Sequence, residues 1–170
     1  QSGSSSSDGS QTTIEYFEPE VKQVKTAYPD KPIGFQLEKP RKGEQIAVLH
    51  TNYGDICFRL FPEAAPKAVE NFITHIQNGT YNGVLFHRVI KDFAIQAGAK
   101  EGPFEGKSIW GEPFEDEFDS KLFNLHGALT MANMGIENYN EADFAVITTT
   151  PEKTASKADY ADNLTKYKEN

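Results

Sequence analysis

Residues 86–98 read FHRVIKDFAIQAG, and they set an arginine into an otherwise apolar strand pair. Phe86, Val89, Ile90, Phe93 and Ile95 read as sheet core, with Arg88 standing among them. The guanidinium stays protonated, because its pKa lies above about 12. A charge on an apolar surface costs free energy unless it is paired or faces a ligand. Spacing alone leaves two readings open. Arg88 reaches a carboxylate such as Asp92 or Glu117, or it lines an apolar pocket and hydrogen-bonds a bound group.

The sequence before this stretch has the patterning of a hairpin followed by a helix. Ala47, Leu49 and Thr51 alternate with Ile46, Val48 and His50, and Asn52-Tyr53-Gly54-Asp55 supplies turn chemistry. Ile56, Phe58 and Leu60 then recur at period two, which predicts a β-hairpin. Pro66 suits a first helical position, Val69, Phe72, Ile73 and Ile76 share one face, and Gly79 stands past the end. Further strands are predicted over 85–90, 93–97, 129–132 and 144–148. Many short antiparallel strands with a capping helix predict a mainly β fold, a closed or nearly closed barrel.

Composition narrows the function classes. At 170 residues the chain fits one domain with an appended segment. No run approaches the roughly 20 apolar residues of a membrane helix. A net charge of −8 argues against a general nucleic-acid binder, since phosphate backbones are held by basic patches. Cys57 is the single cysteine, so an intrachain disulfide and a Cys/His metal cluster are both excluded. His50, His75, His87 and His126 show no H-E-x-x-H spacing, so no metal and no cofactor are expected.

Three zones follow. Residues 1–13, QSGSSSSDGSQTT, read as a flexible Ser/Gly-rich linker of the kind that follows a lipid-modified cysteine, although a tag remnant has the same composition. Residues 14–45 carry Pro19, Pro29, Pro32 and Pro40 and read as an N-terminal arm whose tyrosines, Phe17 and Phe35 pack on the domain. Residues 46–170 are the domain itself, ending in a polar tail with helical spacing at Tyr160, Leu164 and Tyr167.

Two more blocks decide the reading of Arg88: SIWGEPFEDEF from Ser108 and HGALTMANMG from His126. With FHRVIKDFAIQAG they resemble, in order and separation, the signature blocks of the cyclophilin family of peptidyl-prolyl cis/trans isomerases. The resemblance spans about residues 46–150 and is nearest to bacterial surface-lipoprotein cyclophilins. It implies an antiparallel β-barrel capped by helices, here without the block and strands with which the family ends. It also implies Arg88 as the catalytic residue. Phe93 matches the aromatic flanking the proline pocket, and Gln96 the amide that bonds substrate backbone and steadies the arginine. Ala132 and Asn133 match the segment whose backbone pairs with the residue before the proline. Without the motif, Phe93 reads equally well as a core aromatic and Gln96 as a sheet-edge residue. Trp110 is read as structural.

The departures from the family bear on activity. Ala94 stands where the family has a methionine walling the proline pocket, and Ala145 where its floor is aromatic. Asp143 replaces a glutamine, and Ala97-Gly98-Ala99 replaces a Gly-Gly-Asp. Each lost side chain removes roughly 1.5–3 kcal/mol of apolar burial, which predicts a wide pocket that holds a proline ring poorly.

The resemblance therefore implies a prolyl isomerase acting on Pro-containing polypeptides outside the cell, as a membrane lipoprotein, with a cytoplasmic location as the alternative. Cyclosporin-type ligands are implied as further partners, nucleic acid is not, and any membrane contact runs through an N-terminal lipid anchor. The rival reading is a cyclophilin-like peptide- or partner-binding module with weak catalysis, favoured by Ala94 and Ala145. A surface adhesion domain rests only on the Ser-rich start.

Overall fold

The computed structural model describes residues 24–99, 102 and 105–149. The linker 1–13, the first part of the arm with Phe17, and the tail 151–170 lie outside them. Among the described residues there are six strands and one α-helix. They are β1 (Ile46–Thr51), β2 (Gly54–Arg59), α1 (Pro66–Gln77), β3 (Arg88–Ile90), β4 (Ala94–Ala97), β5 (Leu129–Met131) and β6 (Phe144–Ile147).

β1 and β2 form the expected hairpin in the register Ala47↔Phe58 and Leu49↔Ile56. Cross-strand partners share a face, so the period-two residues gather on one side, where Ala47 and Phe58 are buried. Cys57 falls on the other face and is exposed. At the tip, Thr51 Oγ1 donates to the Gly54 carbonyl and accepts the Tyr53 N–H.

The remaining strands form an antiparallel sheet in the order β3-β4-β6-β5. The result is a mainly β fold of two sheets, and no strand ladder joins them into a closed barrel among the described residues.

Helix α1 begins at Pro66 as predicted, but no side chain of its own caps it. The Glu117 carboxylate accepts the Lys67 and Ala68 N–H groups at 3.1 and 2.9 Å, placing negative charge where the first turn has orphan donors. Gly79, at φ +70, ends the helix in a left-handed conformation. The buried helix residues are Asn71, Phe72 and His75, whereas Ile76 is exposed. The buried face thus lies one position round the helix from the apolar stripe of Val69, Phe72, Ile73 and Ile76. Asn71 is drawn inward because its amide donates to the Glu141 carbonyl at 2.8 Å and accepts the Ile109 N–H at 2.9 Å.

A second correction concerns residues 85–93. Val89, Ile90 and Phe93 are exposed rather than core, and Leu85 lies outside β3 at 79% exposure. β3 is an edge strand of three residues, so alternation there does not produce burial. Ile95 and Phe86 do pack against the core, which gathers Ala47, Phe58, Phe72, Ala97, Phe144 and Val146 between hairpin, helix and sheet.

The described part of the arm packs on this body. Tyr28, Phe35 and Phe61 stack at ring separations of 4.9 to 6.0 Å, with Phe35 buried. Gln36 exchanges two hydrogen bonds with the Phe123 backbone, and Arg59 bonds Glu44 together with the carbonyls of Phe35 and Glu38.

Candidate active site

Strand register assembles the site. Arg88 of β3 lies opposite Gln96 of β4, Gln96 opposite Ala145 of β6, and Ala145 opposite Thr130 of β5. The four side chains therefore form one row on one face of the sheet. Ala94 sits two residues from Gln96 on that face, between Ile90 and Ile147. Exposure falls along the row, from an exposed Arg88 to Gln96 and Ala145 at 7% and 4%.

The Arg88 guanidinium carbon lies 5.8 Å from the centre of the Phe93 ring, a cation–π contact at the open end of the row. The turn 91–93 produces it: Asp92 adopts φ +58 and the Phe93 N–H bonds the Ile90 carbonyl, which swings the ring back over β3. Pairing of Arg88 with Glu117 is not realised, because both Glu117 oxygens are committed to the helix. Arg88 is exposed at the rim of the sheet, beside the Phe93 ring.

Ala132 and Asn133 follow β5 directly. The Ala132 N–H donates to the Asp143 carbonyl at 3.0 Å, extending the β5–β6 ladder by a step. Asn133 Oδ1 accepts the Gly135 N–H at 2.9 Å and so shapes the turn rather than reaching across the row. Ala94, Ala132, Ala145 and Ile147 pack into a small cluster. The two alanines that predicted a wide pocket are buried in this cluster, at 2% and 4% exposure. A cavity of about 660 Å³ is lined largely from the opposite face of the sheet, by Phe58, Phe72, Leu129 and Phe144, and also takes in Thr130 and Asn133.

A buried polar layer adjoins the row just before β6. Asp143 is 1% exposed at its side chain and lies 3.6 Å from His87 Nε2. Burial, and then the charge of Asp143, push the Tyr81 hydroxyl well above the usual phenol range. A Cβ at position 98 would collide with Asp143 Oδ1 and Cα, which explains why Gly98 occupies the end of β4. Two residues earlier, buried Glu141 bonds Lys107 and the Ser108 N–H, tying the SIWG block to the start of β6. Trp110 in that block stands edge-on to Phe114 with Lys67 over its ring, a packing role consistent with its structural assignment. Asp143 was visible in the sequence as an acid replacing an amide, but its burial was not.

Residues 46–163 match the family profile described as cyclophilin type peptidyl-prolyl cis-trans isomerase/CLD. The chain belongs to the cyclophilin family. All seven candidate residues fall inside this cyclophilin region, and the arm precedes it. A protein of Staphylococcus saprophyticus, provisionally named a peptidyl-prolyl cis-trans isomerase, is 51% identical over 114 residues, covering 66% of this chain and 57% of the relative. A Staphylococcus aureus protein of the same provisional name is 53% identical over equal shares. The chain thus matches little more than half the length of these relatives. Among solved structures, a Cryptosporidium parvum cyclophilin type peptidyl-prolyl cis-trans isomerase, crystallised in the presence of the dipeptide Ala-Pro, superposes with a TM-score of 0.59 at 37% identity. That superposition covers 62% of this cyclophilin chain and 68% of the other.

Proposed function

We propose that this protein is a peptidyl-prolyl cis/trans isomerase acting on exposed Pro-containing segments of other polypeptides. The observation that carries the reading is the Arg88–Gln96–Ala145 row, closed at its exposed end by Phe93. Rotation about an X-Pro bond meets a barrier of about 18–20 kcal/mol that arises from amide resonance. Lowering it needs no nucleophile, metal or proton shuttle. It needs a surface for the proline ring, anchors for the flanking backbone, and a donor for the amide nitrogen as conjugation is lost. Each 1.36 kcal/mol of preferential transition-state binding is worth tenfold in rate. Arg88 supplies a rigid donor that is always protonated, Phe93 an aromatic wall beside it, and buried Gln96 a polar group in the same row. The Ala-Pro dipeptide present with the Cryptosporidium relative supports the proline-containing class of ligand.

A protease-coupled isomerisation assay on a series of proline peptides tests the reading. Arg88→Ala is expected to lower kcat/KM several-fold or more with unfolding unchanged, and wild-type turnover in that variant would sink the assignment. A second reading, a peptide-binding module with weak turnover, is favoured by the burial of Ala94 and Ala145. Peptide affinity without measurable catalysis by the wild-type protein would decide for it. Cyclosporin-type cyclic peptides would compete for the same face, and loss of peptide binding in their presence tests this. An extracellular, lipid-anchored location rests on the composition of residues 1–13 alone. Fractionation of cells after metabolic lipid labelling would overturn it if the protein were unlabelled and cytosolic.

A further inference from the structure

We propose that Asp143 is a positioning residue for the isomerase site: its buried carboxylate, set against His87, fixes the start of β3 and with it the aim of Arg88. This rests on the reading of Arg88 as the working donor. Three contacts converge on this one residue. Its carboxylate lies 3.6 Å from His87 Nε2, and His87 is the residue bonded to Arg88 in the chain. Its carbonyl accepts the Ala132 N–H, so the same residue holds the segment after β5. Its Cα and Oδ1 occupy the space where any side chain on residue 98 would go, so it is braced against the end of β4.

A buried carboxylate is a costly way to fill space, because the charge is stripped of water. The bond from the Ala132 N–H goes to the main-chain carbonyl of residue 143, so an amide side chain there would leave it in place. What the carboxylate adds over an amide is an acceptor at both oxygens, so that the one facing His87 Nε2 at 3.6 Å attracts an N–H there, with little screening in a buried site. With β4 braced by the bare Gly98, displacement of Asp143 is resisted on one side and drawn to His87 on the other. Arg88 stands on a strand of three residues at a sheet edge, with Val89 and Ile90 exposed. Fixing the residue immediately before it is the available way to fix its guanidinium.

The test is a double-mutant cycle on Asp143→Asn and His87→Gln. The readouts are kcat/KM, proline-peptide affinity by calorimetry, the urea midpoint, and the Arg88 Nε–H resonance in ¹H–¹⁵N spectra. Each single variant is expected to lower kcat/KM by about three- to tenfold with peptide affinity nearly unchanged, and the double variant to be no worse than the poorer single. The Arg88 resonance should move in both singles, while exposed Lys39→Ala moves nothing. Multiplicative losses in the double variant, or an unmoved Arg88 resonance, would overturn the proposal. A wild-type protein without isomerase activity would instead remove the catalytic reading, and the Arg88 resonance would still decide whether Asp143 positions it. If Asp143→Asn loses cooperative unfolding, His87→Gln carries the resonance test alone.

Discussion

The two faces of the β3-β4-β6-β5 sheet are built from alternate residues of the same short strands, yet they pack by different rules. On one face Phe144 meets Phe72 and Tyr81 at ring separations of 5.1 to 5.4 Å, and Val146 and Ala97 complete a core under helix and hairpin. On the other face the same strands present Arg88, Gln96, Ala94 and Ala145, with small side chains close-packed and the charge at the rim. A face covered by a helix is stabilised by large aromatic contacts. The other face keeps short side chains around one polar group, and each of them buries less apolar area than an aromatic would.

Truncation of the core face should produce the largest effect. Phe144→Ala is expected to destabilise the protein by about 3–5 kcal/mol in urea denaturation, since it removes an aromatic from the three-ring cluster and leaves a cavity. A loss below about 1 kcal/mol would mean the cluster is loosely packed and the contrast between faces overstated.

An intermediate effect is expected from making this second face resemble other cyclophilins. Ala94→Met with Ala145→Phe should tighten proline-peptide binding in calorimetry, because both restore apolar contact with the ring. It should also cost about 1–3 kcal/mol of stability, because both alanines are already buried against Ala132. Stability loss without any gain in affinity would mean that this face does not seat proline.

The smallest effect is electrostatic and lies at the helix. Burial pushes the His75 imidazole below its ordinary value, with only a weak opposing contact from the Lys107 backbone. The unfolded state therefore takes up a proton more readily than the folded one. The stabilisation is complete above the unfolded value near 6.5 and is lost as pH falls towards the depressed folded value. The melting temperature should drop on acidification from pH 7 to 5, at about 2–4 °C per kcal/mol lost, and His75→Gln should flatten that slope. An unchanged slope in the variant would assign the acid sensitivity to the carboxylates instead.

Much of the fold was legible because local chemistry and tertiary need agreed. Period-two apolar residues gave the hairpin, and Pro66 and Gly79 bounded the helix. The motif blocks named residues that strand register then placed in one row, Arg88 against Gln96 against Ala145. Where the two diverged, long-range contacts prevailed. Asn71 turned inward because Glu141 and Ile109, distant in sequence, satisfy its amide, and Ile76 was left in solvent. Val89, Ile90 and Phe93 carry the alternation of a core strand but lie at an edge, and alternation says nothing of how many neighbours a strand has.

The sequence by itself determined the family, the order of the elements, and the residue types at the site, since these are written in spacing and turn chemistry. Only the tertiary structure decided that Asp143 is buried beside His87 and braced by Gly98, that Glu117 caps a helix instead of pairing with Arg88, and that the site alanines are packed rather than open. The reason is physical: the cost or gain of a charge or a methyl group depends on what stands within a few ångströms of it. Those neighbours arrive from segments tens of residues away.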